Sequence, residues 1–106
     1  MPKRTKILRK FQRTMNLVLI LEWASRGPFY GTEFMDDCAR RGHKMSPGTL
    51  YPWLNLLVEE GTLTQEDQIV EGKVRKYYTI TDAGQEELEE IKKELGVLHR
   101  TLLHRD

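Results

Sequence analysis

Apolar positions recur along this chain with two different periods, and the changes between them mark out its elements. From Thr5 to Ser25, Ile7, Phe11, Met15, Val18, Leu19 and Leu21 fall at helical spacing. They predict a long first helix, mostly inward-facing at these positions, that stops before Gly27-Pro28. A second helix is expected from about Tyr30 or Gly31 to Arg41, ended by Gly42, with Phe34, Met35, Cys38 and Ala39 as its apolar side. After a turn at His43-Lys44-Met45, Ser46 offers an N-cap and Pro47 suits the first helical position. Leu50, Leu54, Leu57 and Val58 then form one apolar face, and Gly61 closes the segment. The period shortens beyond it. Thr62 to Glu66 and Lys73 to Ile80 are strand candidates, the second rich in β-branched and aromatic residues, with Asp67 to Gly72 as their connection. A last helix, capped by Thr81 or Asp82, carries Leu88, Ile91, Leu95, Leu98 and Leu102 at alternating intervals of 3 and 4, which is a heptad seam. The expected fold is mainly α with a small β-hairpin.

The helix that begins at Pro47 carries the candidate chemistry. Opposite its apolar face stand Gly48, Tyr51, Pro52 and Asn55, small or hydrogen-bonding groups almost without charge. A solvent-facing surface is ordinarily richer in Lys and Glu, so this face is suited to meet a partner. Tyr51 falls about 100° round the helical wheel from Leu50, too far to be anchored beside Leu50 and Leu54. The hairpin behind the helix is basic at its base, through Lys73, Arg75 and Lys76. A helix followed at once by a basic hairpin is the second half of a winged helix-turn-helix, in which the helix enters the DNA major groove and the wing grips phosphates. On that reading Ser46, Thr49, Tyr51 and Asn55 meet backbone or base edges, and Pro52 meets a thymine methyl or a sugar. Lys44, Lys73, Arg75 and Lys76 neutralise phosphates. Strand alternation separates Arg75 from Lys76, so the two wing faces cannot serve DNA equally. The competing reading is an ordinary helix and hairpin filling an α+β core, with the cations simply solvated.

Five segments of the sequence occur in the order seen in the PadR-like transcriptional regulators. They are Tyr30-Gly31-Thr32-Glu33-Phe34, Ser46 to Pro52, Glu59-Glu60-Gly61, Arg75 to Thr81 and Ala83-Gly84. The chain resembles that family over roughly residues 14 to 90. It departs from the family at Thr32, where an aromatic residue is frequent, and in length, since only one helix fits beyond the wing. It therefore resembles the short subfamily. The resemblance implies a winged-helix DNA-binding regulator, commonly a repressor that releases DNA when an aromatic or lipophilic compound binds.

Composition narrows the remaining classes. With 106 residues, 39% hydrophobic and 31% charged, the chain suits one modest core. A net charge of +1 conceals segregation. Lys3, Arg4, Lys6, Arg9, Lys10 and Arg13 crowd the first segment without an acid, a basic end suited to nucleic acid, whereas residues 82 to 94 are acidic. One cysteine, Cys38, cannot form an internal disulfide, and a reducing cytoplasm is the economical expectation. The run Leu17 to Leu21 is too short to span a bilayer. Cys38, His43, His99 and His104 lack metal-ligand spacing, so neither a metal nor another cofactor is expected. No nucleophile stands at a recognisable spacing from a base, which argues against an enzyme.

The last helix is long for so small a core. Its seam lies back on the first helix or meets a second copy. The second is preferred because the first helix also has apolar surface to cover. Residues 1–81 then form the winged helix-turn-helix and residues 82–106 the dimerisation helix, with Phe11, Met15, Leu19, Leu88, Ile91, Leu95, Leu98 and Leu102 at the interface. Such a homodimer would read a roughly palindromic operator in double-stranded DNA. Met15, Leu19, Trp23, Leu95 and Leu98 would line any effector pocket, although an apolar seam is more often plain packing. The rival function is a winged-helix module that docks a protein through the same helix.

Overall fold

The computed structural model describes residues 5–103. Lys3, Arg4 and His104, named above for their chemistry, lie outside that range. The chain folds as α1 (Lys6–Ala24), β1 (Phe29–Tyr30), α2 (Gly31–Arg40), α3 (Pro47–Glu59), β2 (Leu63–Val70), β3 (Lys73–Ile80) and α4 (Asp82–Leu102). The helices are mounted on a three-stranded antiparallel sheet of order β1-β3-β2.

Each helix starts where its capping chemistry dictates. Thr5 caps α1 by accepting from the Leu8 amide at 3.1 Å, and Ser46 caps α3 by accepting from the Thr49 amide at 3.3 Å. Glu33 reaches back to accept from the Tyr30 amide at 3.1 Å, which fixes the entry into α2. Thr81 does more than cap α4 by accepting from Gly84. Its hydroxyl donates to the Gly61 carbonyl at 2.6 Å and its amide donates to the Thr62 carbonyl at 3.0 Å. The start of α4 is thereby tied to the turn that ends α3.

The core is the meeting of one stripe from each helix with the inner face of the sheet. Ile20, Leu21 and Ala24 come from α1, Phe34 and Cys38 from α2, and Leu50, Leu54 and Leu57 from α3. Phe29, Leu63, Tyr78 and Leu88 close it. The Phe29 ring lies 5.8 Å from Tyr78 and 6.3 Å from Phe34, an aromatic layer beneath the helices. Burial pushes the Tyr78 phenol above its ordinary pKa, helped by Tyr51 and Asp67. It does the same to the Cys38 thiol, with the Asp37 carboxylate adding to the rise and Arg41 opposing it.

Four expectations need correction. The wing is longer than its composition suggested: Asp67 to Val70 belong to β2, and the connection is only Glu71-Gly72, both at positive φ (52° and 78°). That is the two-residue turn whose twist matches paired strands. The polar run Gln65-Glu66-Asp67-Gln68 has no strand alternation because it is exposed throughout, and its pairing with Arg75 to Tyr78 makes it a strand. Secondly, Phe29–Tyr30 forms a third strand on Tyr78 and Tyr77, too short to show a period. Thirdly, Ala39 faces solvent, because Phe34 and Cys38 at i, i+4 already define the buried side of α2. Finally, of the six positions expected inward on α1, only Leu21 is sealed in the single chain. Val18 is half-buried, while Ile7, Phe11, Met15 and Leu19 remain exposed. The stripe that enters the core is the neighbouring one, Leu17, Ile20, Leu21 and Ala24.

Gly84 is the most closely confined of the described glycines. A Cβ there would collide with the Thr62 carbonyl oxygen and stand 2.8 Å from the Ile80 side chain. Gly84→Ala should therefore destabilise the protein by about 1–3 kcal/mol, the scale of overpacking. A urea titration of the mutant should show a lower midpoint with the slope unchanged.

A candidate nucleic-acid interface

α2 and α3 are joined by a turn in which Gly42 takes a positive φ of 76° and the His43 amide donates to the Cys38 carbonyl at 2.8 Å. The His43 ring lies 2.9 Å, Nε2 to Oδ1, from Asn16 of α1, so the turn is pinned to the first helix. With the wing behind it, this is a winged helix-turn-helix.

Leu50 and Leu54 are fully buried, which fixes the rotation of α3 and turns Ser46, Gly48, Thr49, Tyr51, Pro52 and Asn55 outward. Lys44 lies just before them, at the end of the turn. Pro52 has no N–H to give to the Gly48 carbonyl, so one backbone acceptor on this face is left without its helical partner. The Ser46 and Thr49 hydroxyls stand 3.2 Å apart at the helix start. The surface is shallow and uncharged, and it is rich in hydrogen-bonding atoms.

Tyr51 is held more firmly than its place on the helical wheel implied. It is 36% exposed, yet its ring lies against α2 so closely that a Cβ at Gly31 would be 2.7 Å from its hydroxyl. The expectation that Tyr51 lacks an anchor is therefore corrected. Gly31 provides the berth for its ring.

On the wing, Lys73 and Lys76 are exposed, and Lys76 stands opposite Asp67 in the register. Arg75 is half-buried, its guanidinium 4.5 Å from the centre of the Tyr30 ring, which is itself edge-on to Tyr77 at 5.4 Å. Arg75 and Lys76 alternate along β3, but both border one hollow together with Tyr30, Gly31, Thr32, Tyr51 and Val74. They meet there because β1 pairs only with Tyr77 and Tyr78 and leaves the preceding edge of β3 open. The structure thus brings Tyr51, Arg75 and Lys76 together. Thr49 and Pro52 border a second hollow with Gly48, Trp53 and Arg13 of α1. The placement of Arg13 beside the outer face of α3 was missed in the sequence, where it was one member of a basic cluster. Its phase, four residues before Leu17 of the buried stripe, is the signal that locates it.

The residues assigned to the seam divide into three sets. Phe11, Met15, Leu19, Ile91, Leu95 and Leu98 line an open groove of about 640 Å³ between α1 and α4, with Val18 at its floor and Glu87, Glu90 and Glu94 on its rim. Leu102 is exposed beyond it. Leu88, only 1% exposed, belongs to the chain's own core and is not available to a second copy. Trp23 does not reach the groove. It packs edge-on to Phe34 at 6.1 Å, with the Arg26 guanidinium 5.3 Å from its ring centre, in a separate hollow between α1 and α2. An ion pair between Lys92 and Glu22 at 3.2 Å bridges α4 to α1 near the groove's inner end.

A winged helix-turn-helix followed by a helix beyond the wing is a recurrent form of transcription factor. The sequence pattern of the transcriptional regulator PadR-like family matches residues 20–90, and the chain belongs to that family. It is 36% identical over 96 residues to the transcriptional regulator Rv3488 of Mycobacterium tuberculosis (strain ATCC 25618 / H37Rv), covering 91% of this chain and 90% of that protein. Its fold matches a PadR-like transcription factor from Bacteroides fragilis with a TM-score of 0.84 at 25% identity, over 94% of this chain and 98% of that one. A PadR family regulator from Eggerthella lenta DSM 2243 matches with a TM-score of 0.80 at 30% identity, over 91% and 85% of the two chains. The protein is thus a transcriptional regulator of a DNA-binding family, not an enzyme. No helix among the described residues is long and apolar enough to cross a membrane.

The berth at Gly31 is open to a direct test. Gly31→Ala should displace the Tyr51 ring and cost about 1–3 kcal/mol. In the Gly31→Ala/Tyr51→Ala double variant the two losses should sum to less than additive, since the clash is gone. Strict additivity in chemical denaturation would separate the two residues.

Proposed function

We propose that the protein acts in the cytoplasm as a homodimeric repressor that binds a roughly palindromic operator and leaves it when a lipophilic or aromatic effector occupies the α1–α4 groove. The observation that carries the DNA-binding part is the meeting of Tyr51, on the exposed uncharged side of α3, with the Arg75–Lys76 edge of the wing around one hollow. Ser46, Thr49, Tyr51 and Asn55 are the groups offered to the major groove, Pro52 the apolar contact, and Lys44, Lys73, Arg75 and Lys76 the phosphate partners. Few of these are bidentate base readers, so the operator's shape carries part of the specificity.

The dimer follows from what α1 and α4 leave uncovered. Phe11, Met15, Leu19, Leu95 and Leu98 are all at least partly open to solvent on one continuous groove, and Leu102 extends the same seam. A second copy seated there sets two α3 helices about one turn of DNA apart, roughly 34–36 Å. The apolar lining Met15, Leu19, Leu95 and Leu98, which Trp23 does not join, supports an effector taken up at the seam between the two copies. Repression by occlusion demands nothing beyond tight operator binding. The buried, unpaired Cys38 suits a reducing compartment.

Two measurements test this. Leu95→Glu with Leu98→Glu adds like charge beside Glu87, Glu90 and Glu94, so sedimentation should show a dimer become a monomer. A wild type that sediments as a monomer at micromolar concentration removes the two-half-site arrangement. Separately, Lys73→Ala/Lys76→Ala should weaken binding to all duplexes alike, with the slope of log K against log salt shallower by about 0.9 for every phosphate no longer neutralised. A folded dimer with no affinity for duplex DNA at low salt would turn α3 toward docking a protein instead.

A further inference from the structure

The N-terminal half of α1 has two unlike faces. Phe11, Met15, Val18 and Leu19 look into the groove with α4. On the other side stand Lys6, Arg9, Lys10 and Arg13, paired at i, i+3 and i, i+4, and Leu17, Ile20, Leu21 and Ala24 continue that same stripe into the core. The stripe that anchors the helix in the domain therefore becomes a row of cations where α1 extends past it. All four side chains are exposed, and no acidic side chain among the described residues forms an ion pair with any of them. The first acid along the chain is Glu22. Arg13, the cation nearest the domain, borders the hollow that also holds Gly48, Thr49 and Pro52 of α3.

This arrangement costs the helix something. Its first turn contains no acid, and two of the four cations, Lys6 and Arg9, sit in that turn, where the helix dipole already places positive charge. Residues chosen for helix stability would carry the opposite sign there. A row of cations kept at that end, on the face that runs up to α3, suits a surface of fixed negative charge.

We infer that Lys6, Arg9, Lys10 and Arg13 form a third DNA-contacting surface that tracks the phosphates adjoining the groove that α3 enters. The inference rests on the proposed DNA-binding dimer. In that dimer the apolar face of α1 meets the second copy, and its basic face, on the other side of the helix, stays free beside α3. α3 and the wing would grip each half-site, and α1 would hold the duplex backbone beside it. The contact is sequence-independent, because ammonium and guanidinium groups on phosphates carry no base information.

The test compares three proteins on one mixed-sequence duplex of about 40 base pairs across a salt series: wild type, the wing variant Lys73→Gln/Lys76→Gln, and the α1 variant Lys6→Gln/Arg9→Gln/Lys10→Gln/Arg13→Gln. The α1 variant should show a salt slope shallower by about 0.9 for each phosphate it leaves unneutralised, summed over both protomers. It should also sediment as the wild type does and melt no lower, since removing cations from the positive end of a helix relieves rather than harms it. Arg13→Gln alone should reproduce a fraction of the slope change. A wild-type slope in the α1 variant beside a reduced slope in the wing variant overturns this inference and spares the DNA-binding reading. An α1 variant that falls apart into monomers overturns it too, because the cations would then belong to the acidic face of α4 in a second copy. A wild type that binds no duplex at low salt overturns both readings.

Discussion

The outward chemistry of this protein depends on the rotation of α3 about its own axis. Leu50, Leu54 and Leu57 are sealed in one core with Ile20, Leu21 and Ala24 of α1 and the aromatic layer of the sheet. A helix with three such positions on one stripe cannot turn without exposing them, at about 1.5–3 kcal/mol for each large side chain. Everything else on α3 is placed by that burial. Gly48, Thr49, Pro52 and Asn55 point away from the core, and Tyr51 falls between the two sides, its ring laid in the berth left by Gly31. The wing is set from the other end of the same helix. Gly61, Thr62 and Thr81 form one hydrogen-bonded knot where α3, β2, β3 and α4 meet, and the absence of a side chain at Gly84 lets α4 close on it.

That rigidity contrasts with the surfaces α1 and α4 leave open. Ile20 and Leu88 commit the two helices to the core, and Glu22 and Lys92 bridge them, but beyond this point both carry apolar side chains to the solvent. The exposure runs along a groove rather than in scattered positions, and contiguous apolar surface of that kind marks an interaction site. The charges around it are sorted by helix: acids on the α4 rim, cations on the far face of α1. A single helix, α1, thus connects the core, the groove and the side of the molecule on which α3 is displayed. Asn16 and Arg13, one turn or less from the groove-lining Met15, touch the α2–α3 turn and border the hollow beside α3 respectively. The same helix thus links the groove to the α2–α3 turn and to the outer face of α3.

Sequence alone determined the order and nature of the helices, the position of the wing and the identity of the outer face of α3. These follow from local chemistry: capping hydroxyls at Ser46 and Thr81, Pro47 at a helix start, glycines after helix ends, and apolar spacing strong enough to fix which side of α3 is buried. It also located the apolar seam of α4. What tertiary structure alone decided were the choices between neighbouring stripes and between strand and loop. On α1 two adjacent apolar stripes have the same period, and only packing shows that Leu17, Ile20, Leu21 and Ala24 enter the core while Phe11, Met15 and Leu19 do not. The residues Asp67 to Val70 and Phe29 to Tyr30 become strands through hydrogen bonds to β3, a partner outside their own segments that leaves no mark on their composition. Leu88 and Leu95 are equivalent in the heptad pattern, yet one is sealed and the other open, because the core reaches only the first turns of α4. Periodicity states which side chains share a face; how far a neighbouring element extends along that face is a property of the assembled fold.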